Sequence, residues 1–340
     1  MDLREAVTLS IVPFCRQPKA PDSRGSRRRP TDRELEIAAD RALEAAARSG
    51  ITPIVLGEAC YPPLLAAIPD PPLVLWVLGN PACLAGPAVA LVGSRAASPY
   101  GLEMASRLAA ALAACGIVVV SGLARGIDAA AHQGALDTGR TIAVLGCGAD
   151  VVYPAEHAAL SRAIGERGAL VSEFPPGTPP RAWHFPLRNR IISGLSLAIV
   201  VVEASEKSGS LITAGCALEQ GREVMAVPGN ALSGRNRGAH ALLKDGAKIV
   251  ETADDILEEL HGVGHLTNLL GSGERHIKRE HAADPILGVF QAGEPLGVDE
   301  LAARTGWPAA DLLVRLAELE LSGFVQRLPG GRFVPLARTC

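Results

Sequence analysis

Short apolar segments alternate with amphipathic segments through the middle of the chain. Each apolar segment ends at a turn rich in Gly, Pro or small polar residues, and several turns lead into residues with helical spacing. The predicted strands are 88–92, 117–120, 141–145, 169–172, 197–202, 223–227 and 248–250. This alternation predicts an α/β fold with a doubly wound, mostly parallel sheet. Ligands of such sheets bind beyond the carboxyl ends of the strands, where the glycine turns lie.

The two ends of the chain lack this alternation. Residues 1 to about 34 include a cluster of arginines and show little apolar periodicity, which predicts a flexible basic arm. Helical spacing begins at Thr31 and continues to Gly50. We therefore expect four parts: a short basic arm with a helix at 1–50, a core at 51–260, a Gly- and Ser-rich linker at 261–283 and a small domain at 284–340.

The small domain has the helix and hairpin signals of a winged helix. Its helix candidates are 285–291, 298–305 and 309–322. Two strand candidates, 324–328 and 332–335, are joined at Pro329-Gly330-Gly331, which is a hairpin signal. The third helix carries Asp311, Glu318 and Glu320 against Arg315 alone. Because an acidic helix repels DNA phosphates, this charge favours a protein contact or a regulatory role over duplex binding.

Composition indicates a globular protein with no membrane segment. Hydrophobic residues make up 48% of the 340 residues, yet no window of 18 consecutive apolar residues is present, so we expect no membrane span. The seven cysteines form no Cys-x-x-Cys pair, which favours a reducing compartment, and we expect a cytoplasmic protein. The formal net charge is −3, so any nucleic-acid site must be a local concentration of basic residues.

The segment from Phe185 to Ser196 is such a concentration. Between residues 174 and 202 the chain has three arginines and no Asp or Glu, and it ends in the apolar strand predicted at 197–202. A basic segment with an aromatic residue beside a core strand predicts an anion site with a flat surface nearby, as in proteins that bind single-stranded nucleic acid. The alternative is that these arginines are solvated or paired.

Three glycine turns follow predicted strands and precede predicted helices. They are Gly93-Ser94-Arg95, the segment Ser121–Asp128 with Gly122, Arg125 and Gly126, and Ser208-Gly209-Ser210 preceded by Lys207. Backbone N–H groups at such helix starts attract phosphate, and an arginine adds a bidentate contact. The alternative is a set of tight turns with exposed arginines. No turn completes a GxGxxG dinucleotide motif, and the absence of any Gly-Lys pair excludes a Walker A loop.

The sequence carries no recognisable catalytic set. No nucleophile, base and orienting residue occur at a familiar spacing, and no His/Cys cluster indicates a metal site. We therefore expect no enzyme activity, no cofactor and no metal. Glu203, at the end of a predicted strand, has two alternative roles, a catalytic one and the orientation of Arg188 or Arg190, and the second is expected.

A set of ordered motifs resembles the DNA-processing protein A (DprA/Smf) family over roughly residues 51–260, with a similar winged-helix tail. The matching blocks are Tyr61–Leu65, Ile68–Pro72, Val92–Arg95, Ser121–Asp128, Phe185–Arg190, Val202–Ala204, Ser208–Ala214 and Ala226–Gly229. Many members also begin with a helical domain, and residues 1–50 are too short for a full copy of it.

The resemblance implies an extended Rossmann-like core that works as a homodimer, protects incoming single-stranded DNA and helps load RecA onto it during natural transformation. With the residue-level interpretation, it gives these predicted single-stranded DNA-binding residues: Gly93, Ser94, Arg95, Gly122, Arg125, Gly126, Phe185, Arg188, Asn189, Arg190, Lys207, Ser208, Gly209 and Ser210. One alternative is a nucleotide phosphoribohydrolase with a PGGxGTxxE signature, but Thr213 stands where its catalytic Glu belongs. Another is an adaptor that acts through the winged helix alone.

Overall fold

The chain folds into two compact units, Met1–Thr267 and Asn268–Cys340, in a computed structural model. The structure describes residues 2–15, 30–262, 286, 289, 296–321, 325–328 and 332–335.

The larger unit is built on a nine-stranded sheet in the order β1-β2-β6-β5-β4-β3-β7-β8-β9. The strands are β1 Ile51–Val55, β2 Val74–Gly79, β3 Ala88–Gly93, β4 Val118–Ser121, β5 Thr141–Leu145, β6 Ala169–Ser172, β7 Ala198–Glu203, β8 Glu223–Ala226 and β9 Lys248–Ile249. The seven strands from β6 to β9 in this order pair in parallel, and β1 and β2 add an antiparallel margin. The predicted mostly parallel α/β sheet is confirmed.

Helices cover both faces of this sheet. They are α1 Leu3–Cys15, α2 Asp32–Ser49, α3 Pro63–Ala66, α4 Pro99–Ala114, α5 Ile127–Thr138, α6 Ala158–Arg167, α7 His184–Gly194, α8 Ser210–Glu219, α9 Arg237–Lys244 and α10 Ala253–Gly262. Apolar residues of α7, α8 and α9 pack on one face of the strands, and those of α5 and α6 pack on the other. None of the described helices is both long and apolar enough to cross a membrane.

The first residues of the chain correct the prediction of a flexible arm over 1–34. Residues 3–15 form α1, whose Ala6, Val7 and Ile11 are buried against α2 and against Trp76 of β2. These positions share one face of a helix, and burial of that face stabilises it despite a weak periodic signal. The predicted arginine cluster, within residues 16–29, lies outside the described residues.

The helix predicted from Thr31 to Gly50 is confirmed. The Thr31 hydroxyl accepts a hydrogen bond from the Glu34 backbone N–H, and the Glu34 carboxylate accepts one from the Thr31 N–H, which forms a capping box. Gly50 ends α2 in the left-handed conformation at φ +66°. The basic segment from Phe185, for which no helix was predicted, forms most of α7.

The smaller unit has a winged-helix arrangement, as predicted. It contains β10 Leu296–Gly297, α11 Val298–Thr305, α12 Ala309–Leu321, β11 Val325–Leu328 and β12 Arg332–Pro335, with strand order β10-β12-β11. Its core includes Leu301, Leu312, Leu316 and Phe333. The helix predicted at 285–291 lies outside the described residues, except for Ile286 and Val289, which pack on this core.

The close packing of α4 on α5 predicts that Gly134→Ala destabilises the larger unit. A Cβ at Gly134 would lie 2.1 Å from the backbone oxygen of Ser106, so the two helices must separate. Such overpacking costs about 1–3 kcal/mol. The matched control is Gly215→Ala in α8, where no atom of the described residues lies within 4 Å of an added Cβ. The control should gain about 0.5–1 kcal/mol from helix propensity. Thermal unfolding followed by circular dichroism measures both, and equal melting temperatures would contradict the packing argument.

Candidate functional site

A cleft of about 660 Å³ opens beyond the carboxyl ends of the parallel strands. Loops after β3, β4 and β7 and the N-terminal half of α7 line it. Nine of the predicted site residues lie on its wall: Gly93, Ser94, Arg95, Phe185, Arg188, Asn189, Ser208, Gly209 and Ser210. The sheet order makes β4, β3 and β7 neighbours, so turns that are far apart in the sequence meet at one edge.

The turn after β3 is held close to the rest of the cleft. A Cβ at Gly93 would lie 2.6 Å from the Ile127 side chain, so a larger residue does not fit there. The Ser94 N–H donates to the backbone oxygen of Glu203 at 2.7 Å, which fixes the turn against the end of β7. Arg95 is exposed, and its guanidinium carbon lies 5.5 Å from the centre of the Phe185 ring. The cleft therefore has a cation beside an aromatic face.

Two aromatic rings, inclined by 35° to one another, line one wall of the cleft. The ring centres of Phe185 and Tyr153 are 5.4 Å apart, and Tyr153 is 45% exposed. Such a surface suits stacking with a nucleobase, because every base has a π face. Sequence reasoning missed Tyr153, since a single tyrosine beside a proline carries no pattern that points to a site.

Two buried charged side chains bind the backbone of the turn after β4. The Gly122 N–H donates to the Asp128 carboxylate at 3.0 Å, and the Gly122 carbonyl accepts from the Arg188 guanidinium at 2.8 Å. Arg188 also donates to the carbonyl of Val144 in β5. A Cβ on Gly122 would lie 2.6 Å from the Arg188 guanidinium nitrogens. The prediction that Arg188 is a site residue therefore concerns a group that is only 4% exposed, at the floor of the cleft.

Burial changes the protonation of this floor. It lowers the pKa of Arg188 to about 10, which still leaves the guanidinium charged at neutral pH. Burial raises the pKa of Asp128, and the charge of Arg188 and two backbone N–H donors oppose that rise. Burial and the nearby Arg188 lower the pKa of His132 to about 3, so this imidazole is neutral. His132 Nδ1 lies 2.7 Å from the hydroxyl of Thr141.

The turn after β4 also packs directly against the turn after β3. Leu123 adopts a positive φ of +55°, which is uncommon for a residue other than glycine, and Gly126 follows at φ +74°. A Cβ at Gly126 would lie 2.2 Å from the Ser94 carbonyl. The Ile127 N–H at the start of α5 donates to that carbonyl at 3.2 Å. Gly126 therefore joins the two loops and faces the protein's own backbone.

Arg125 lines a side cavity of about 290 Å³, which also includes Gly122. This side cavity shares Arg95, Phe185 and Arg188 with the cleft. Its guanidinium donates to both carboxylate oxygens of Glu156, one of them at 2.7 Å. This pairing raises the pKa of Arg125 and lowers the pKa of Glu156. Both side chains are at least half exposed, so the pair is accessible to a ligand.

Arg190 lines neither cavity. Its guanidinium binds both carboxylate oxygens of Glu173, at 2.7 and 3.0 Å, and also Asp70 at 3.2 Å. The Arg190 side chain is 13% exposed. Glu173 directly precedes the segment without acidic residues, so the sequence count missed this partner by one position.

The turn after β7 carries small polar groups into the cleft. The hydroxyls of Ser208 and Ser210 are 2.7 Å apart, and the side-chain amide of Asn189 reaches the Gly209 carbonyl at 3.5 Å. No atom of the described chain lies within 4 Å of a Cβ built on Gly209, which leaves open space for a ligand. Lys207 is exposed and faces an adjacent cleft.

The expected role of Glu203 is wrong. Its carboxylate accepts hydrogen bonds from the backbone N–H and the hydroxyl of Ser98, and among the described residues it makes no bond to Arg188 or Arg190. Because Ser98 is the N-cap of α4, Glu203 fixes the start of that helix. Within the described ranges, no group of three His, Cys, Asp or Glu side chains is placed to hold a metal ion.

The buried floor predicts that Arg188→Met destabilises the larger unit. The substitution leaves two buried carbonyls without this donor and Asp128 without its countercharge. Each buried acceptor that loses its partner costs about 1–3 kcal/mol. The control Arg107→Met removes an exposed pair with Glu103, which is worth less than about 1 kcal/mol. Urea unfolding followed by fluorescence compares the two, and similar losses would contradict the role of Arg188.

Family models match most of the chain. A model described as DNA recombination-mediator protein A matches residues 52–261, and a model of the DprA winged helix domain matches residues 278–331. Protein Smf of Escherichia coli is 44% identical over 285 residues, which cover 82% of this chain and 76% of that protein. DNA processing protein DprA of Bacillus subtilis is 45% identical over 222 residues, covering 65% and 75%.

Two solved structures agree with the fold. The X-ray structure of DNA processing protein A from Streptococcus pneumoniae has a TM-score of 0.64 at 39% identity, covering 75% of this chain and 92% of that one. DNA processing protein A from Helicobacter pylori, a protein with a unique single-stranded DNA-binding mode, has a TM-score of 0.57 at 29% identity, covering 63% and 98%. The chain therefore belongs to the DNA recombination-mediator protein A family, together with the Smf and DprA proteins.

Proposed function

We propose that this protein binds single-stranded DNA in the cleft at the carboxyl ends of β3, β4 and β7. The observation that carries the proposal is the placement of an exposed arginine, the open glycine turn at Gly209 and a pair of aromatic rings around one cavity. Glycine turns and arginine suit phosphates, and exposed rings suit bases. The H. pylori relative, which binds single-stranded DNA, supports the same ligand here.

The predicted site residues have different roles in this proposal. Arg95 and the turn Ser208-Gly209-Ser210 bind phosphates. Gly93 and Ser94 position Arg95, because the Ser94 N–H is already bound by the Glu203 carbonyl. A base stacks on Phe185, and Asn189 supports the turn at Gly209.

The remaining basic residues and glycines divide into contacts and supports. Arg125 and Lys207 contact the DNA strand from the edges of the cleft. Gly122, Gly126, Arg188 and Arg190 act as positioning residues, because each is packed against the protein or engaged by it.

We extend the proposal to the role of the whole protein. The family is one of recombination mediators, and its DprA members process DNA. We propose that a homodimer of this chain in the cytoplasm protects incoming single strands and loads RecA onto them during natural transformation, without catalysing a reaction. Thr213, which is buried at the wall of the cleft, takes the place of the glutamate that a phosphoribohydrolase needs there, and this favours binding over that chemistry.

The first test is Arg95→Ala with a labelled oligothymidine. We expect weaker binding and a salt dependence that is shallower by about 0.7, because one phosphate is no longer neutralised by the protein. Fluorescence anisotropy over a salt series measures both. The control Arg48→Ala removes an equally charged, 73% exposed side chain from α2, outside the cleft, and should bind as the unchanged protein does. Equal affinity of the unchanged protein for single strands and for duplex would refute the proposal.

The second test concerns RecA. On a labelled oligothymidine coated with a single-strand-binding protein, RecA should form its complex at a lower concentration when this protein is present than when it is absent. Arg95→Ala should show a smaller effect, because this variant holds the strand more weakly. A RecA titration followed by anisotropy decides it, and identical curves with and without this protein would exclude a loading role.

A further inference from the structure

A second cleft, which is basic and is distinct from the side cavity at Arg125, adjoins the first cleft. It has a volume of about 440 Å³, and its basic side chains are Lys207, Arg235 and Arg237, beside the carboxylate of Glu206. Two of these residues, Arg235 and Arg237, lie in a part of the chain from which no site residue was predicted. The cleft concentrates positive charge in a protein whose formal net charge is −3.

The two clefts follow one another along the same edge of the sheet. The first uses the loops after β3, β4 and β7, and the second uses the loops after β7 and β8. Strands β3, β7 and β8 are consecutive and parallel in the sheet, so their carboxyl ends lie side by side. Ser205 lines both clefts, and Lys207 directly precedes Ser208 of the first. A polymer that leaves the first cleft toward β8 therefore enters the second.

The arginines are held at this edge by one hydrogen bond and one weak, exposed ion pair. Arg235 donates to the Ala96 carbonyl at 3.0 Å, which ties it to the turn that carries Arg95. Arg237 and Glu206 form an ion pair at 3.8 Å in which both side chains are about two-thirds exposed. Exposed pairs of this kind are weak, so a phosphate can replace the carboxylate at little cost. Arginine suits that exchange because its planar guanidinium matches phosphate oxygens.

We propose that the basic cleft of Lys207, Arg235 and Arg237 is a second phosphate-binding site, which receives the continuation of the strand held in the first cleft. This inference rests on the proposed function, since it assigns a path to the same single strand. The strand then runs across the sheet edge in the order β4, β3, β7, β8. The base-stacking surface at Phe185 lies on the first part of the path, and the second part contacts the phosphodiester backbone alone.

The test compares the double variant Arg235→Ala/Arg237→Ala with the unchanged protein on fluorescein-labelled oligothymidines of increasing length. Short oligothymidines, which fill only the first cleft, should bind Arg237→Ala and the unchanged protein equally, because this variant keeps the link between Arg235 and Ala96. Longer ones should bind the double variant more weakly, and the salt slope should be shallower by about 1.4, from about 0.7 for each phosphate that is no longer neutralised. Arg237→Ala alone leaves the link between Arg235 and Ala96 intact and should lower the slope by about 0.7. Arg48→Ala is the charge-matched control and should change neither quantity.

The possible outcomes separate this inference from the proposed function. A salt slope and a length dependence in both variants that equal those of the unchanged protein would overturn the second site while leaving the first intact. Equal weakening of Arg237→Ala on short and long oligothymidines would also overturn it, because the loss would then come from the first cleft. If the unchanged protein binds no oligothymidine of any length, the proposed function itself fails.

Discussion

The peptide group of Gly122 is held on both sides by buried charges, Asp128 at its N–H and Arg188 at its carbonyl. Burying these two charges gains little net stability, because their removal from water offsets their attraction and the hydrogen bonds that they make. The two side chains instead fix the position of the Gly122 backbone. They fix the turn after β4 in a conformation with a positive φ at Leu123, and through Gly126 that turn supports the loop that carries Arg95. The shape of the whole cleft therefore depends on one peptide group beneath it.

The arginines of the protein divide according to depth. Arg188 and Arg190 are buried and bind backbone carbonyls or carboxylates of the protein itself. Arg95, by contrast, is exposed at the rim. The charges of Arg188 and Arg190 are compensated by Asp128 and Glu173, so these two arginines contribute little to the electrostatic potential at the surface. Attraction for a polyanion must then come from the rim, which explains how a chain of slightly negative charge can still present a local basic surface.

Much of the sheet could be predicted because buried parallel strands are continuous apolar runs that end at glycine turns. The edge strand β1 could not, since Pro53 argues against a strand and is tolerated only because β1 has a single neighbour in the described sheet. The cleft residues at the turns were also predictable, because carboxyl ends of parallel strands converge. Partners distant in sequence were not, such as Glu173 and Asp70 for Arg190 or Ser98 for Glu203. A count of charge along a segment does not show which charges meet across the fold.

Gly122 and Gly126 each leave no room for a methyl group, and in both cases the obstacle belongs to the protein: the guanidinium of Arg188 and the carbonyl of Ser94. A mutational screen that scored only nucleic-acid binding would register a loss at both positions and would attribute it to the ligand. The same screen combined with a measure of folding would separate them from Gly209, where the space is open. The positions at which a substitution harms folding most would then mark the junction between the loops after β3 and β4. The proposed path of the DNA strand would instead follow neighbouring residues at which substitution leaves folding intact.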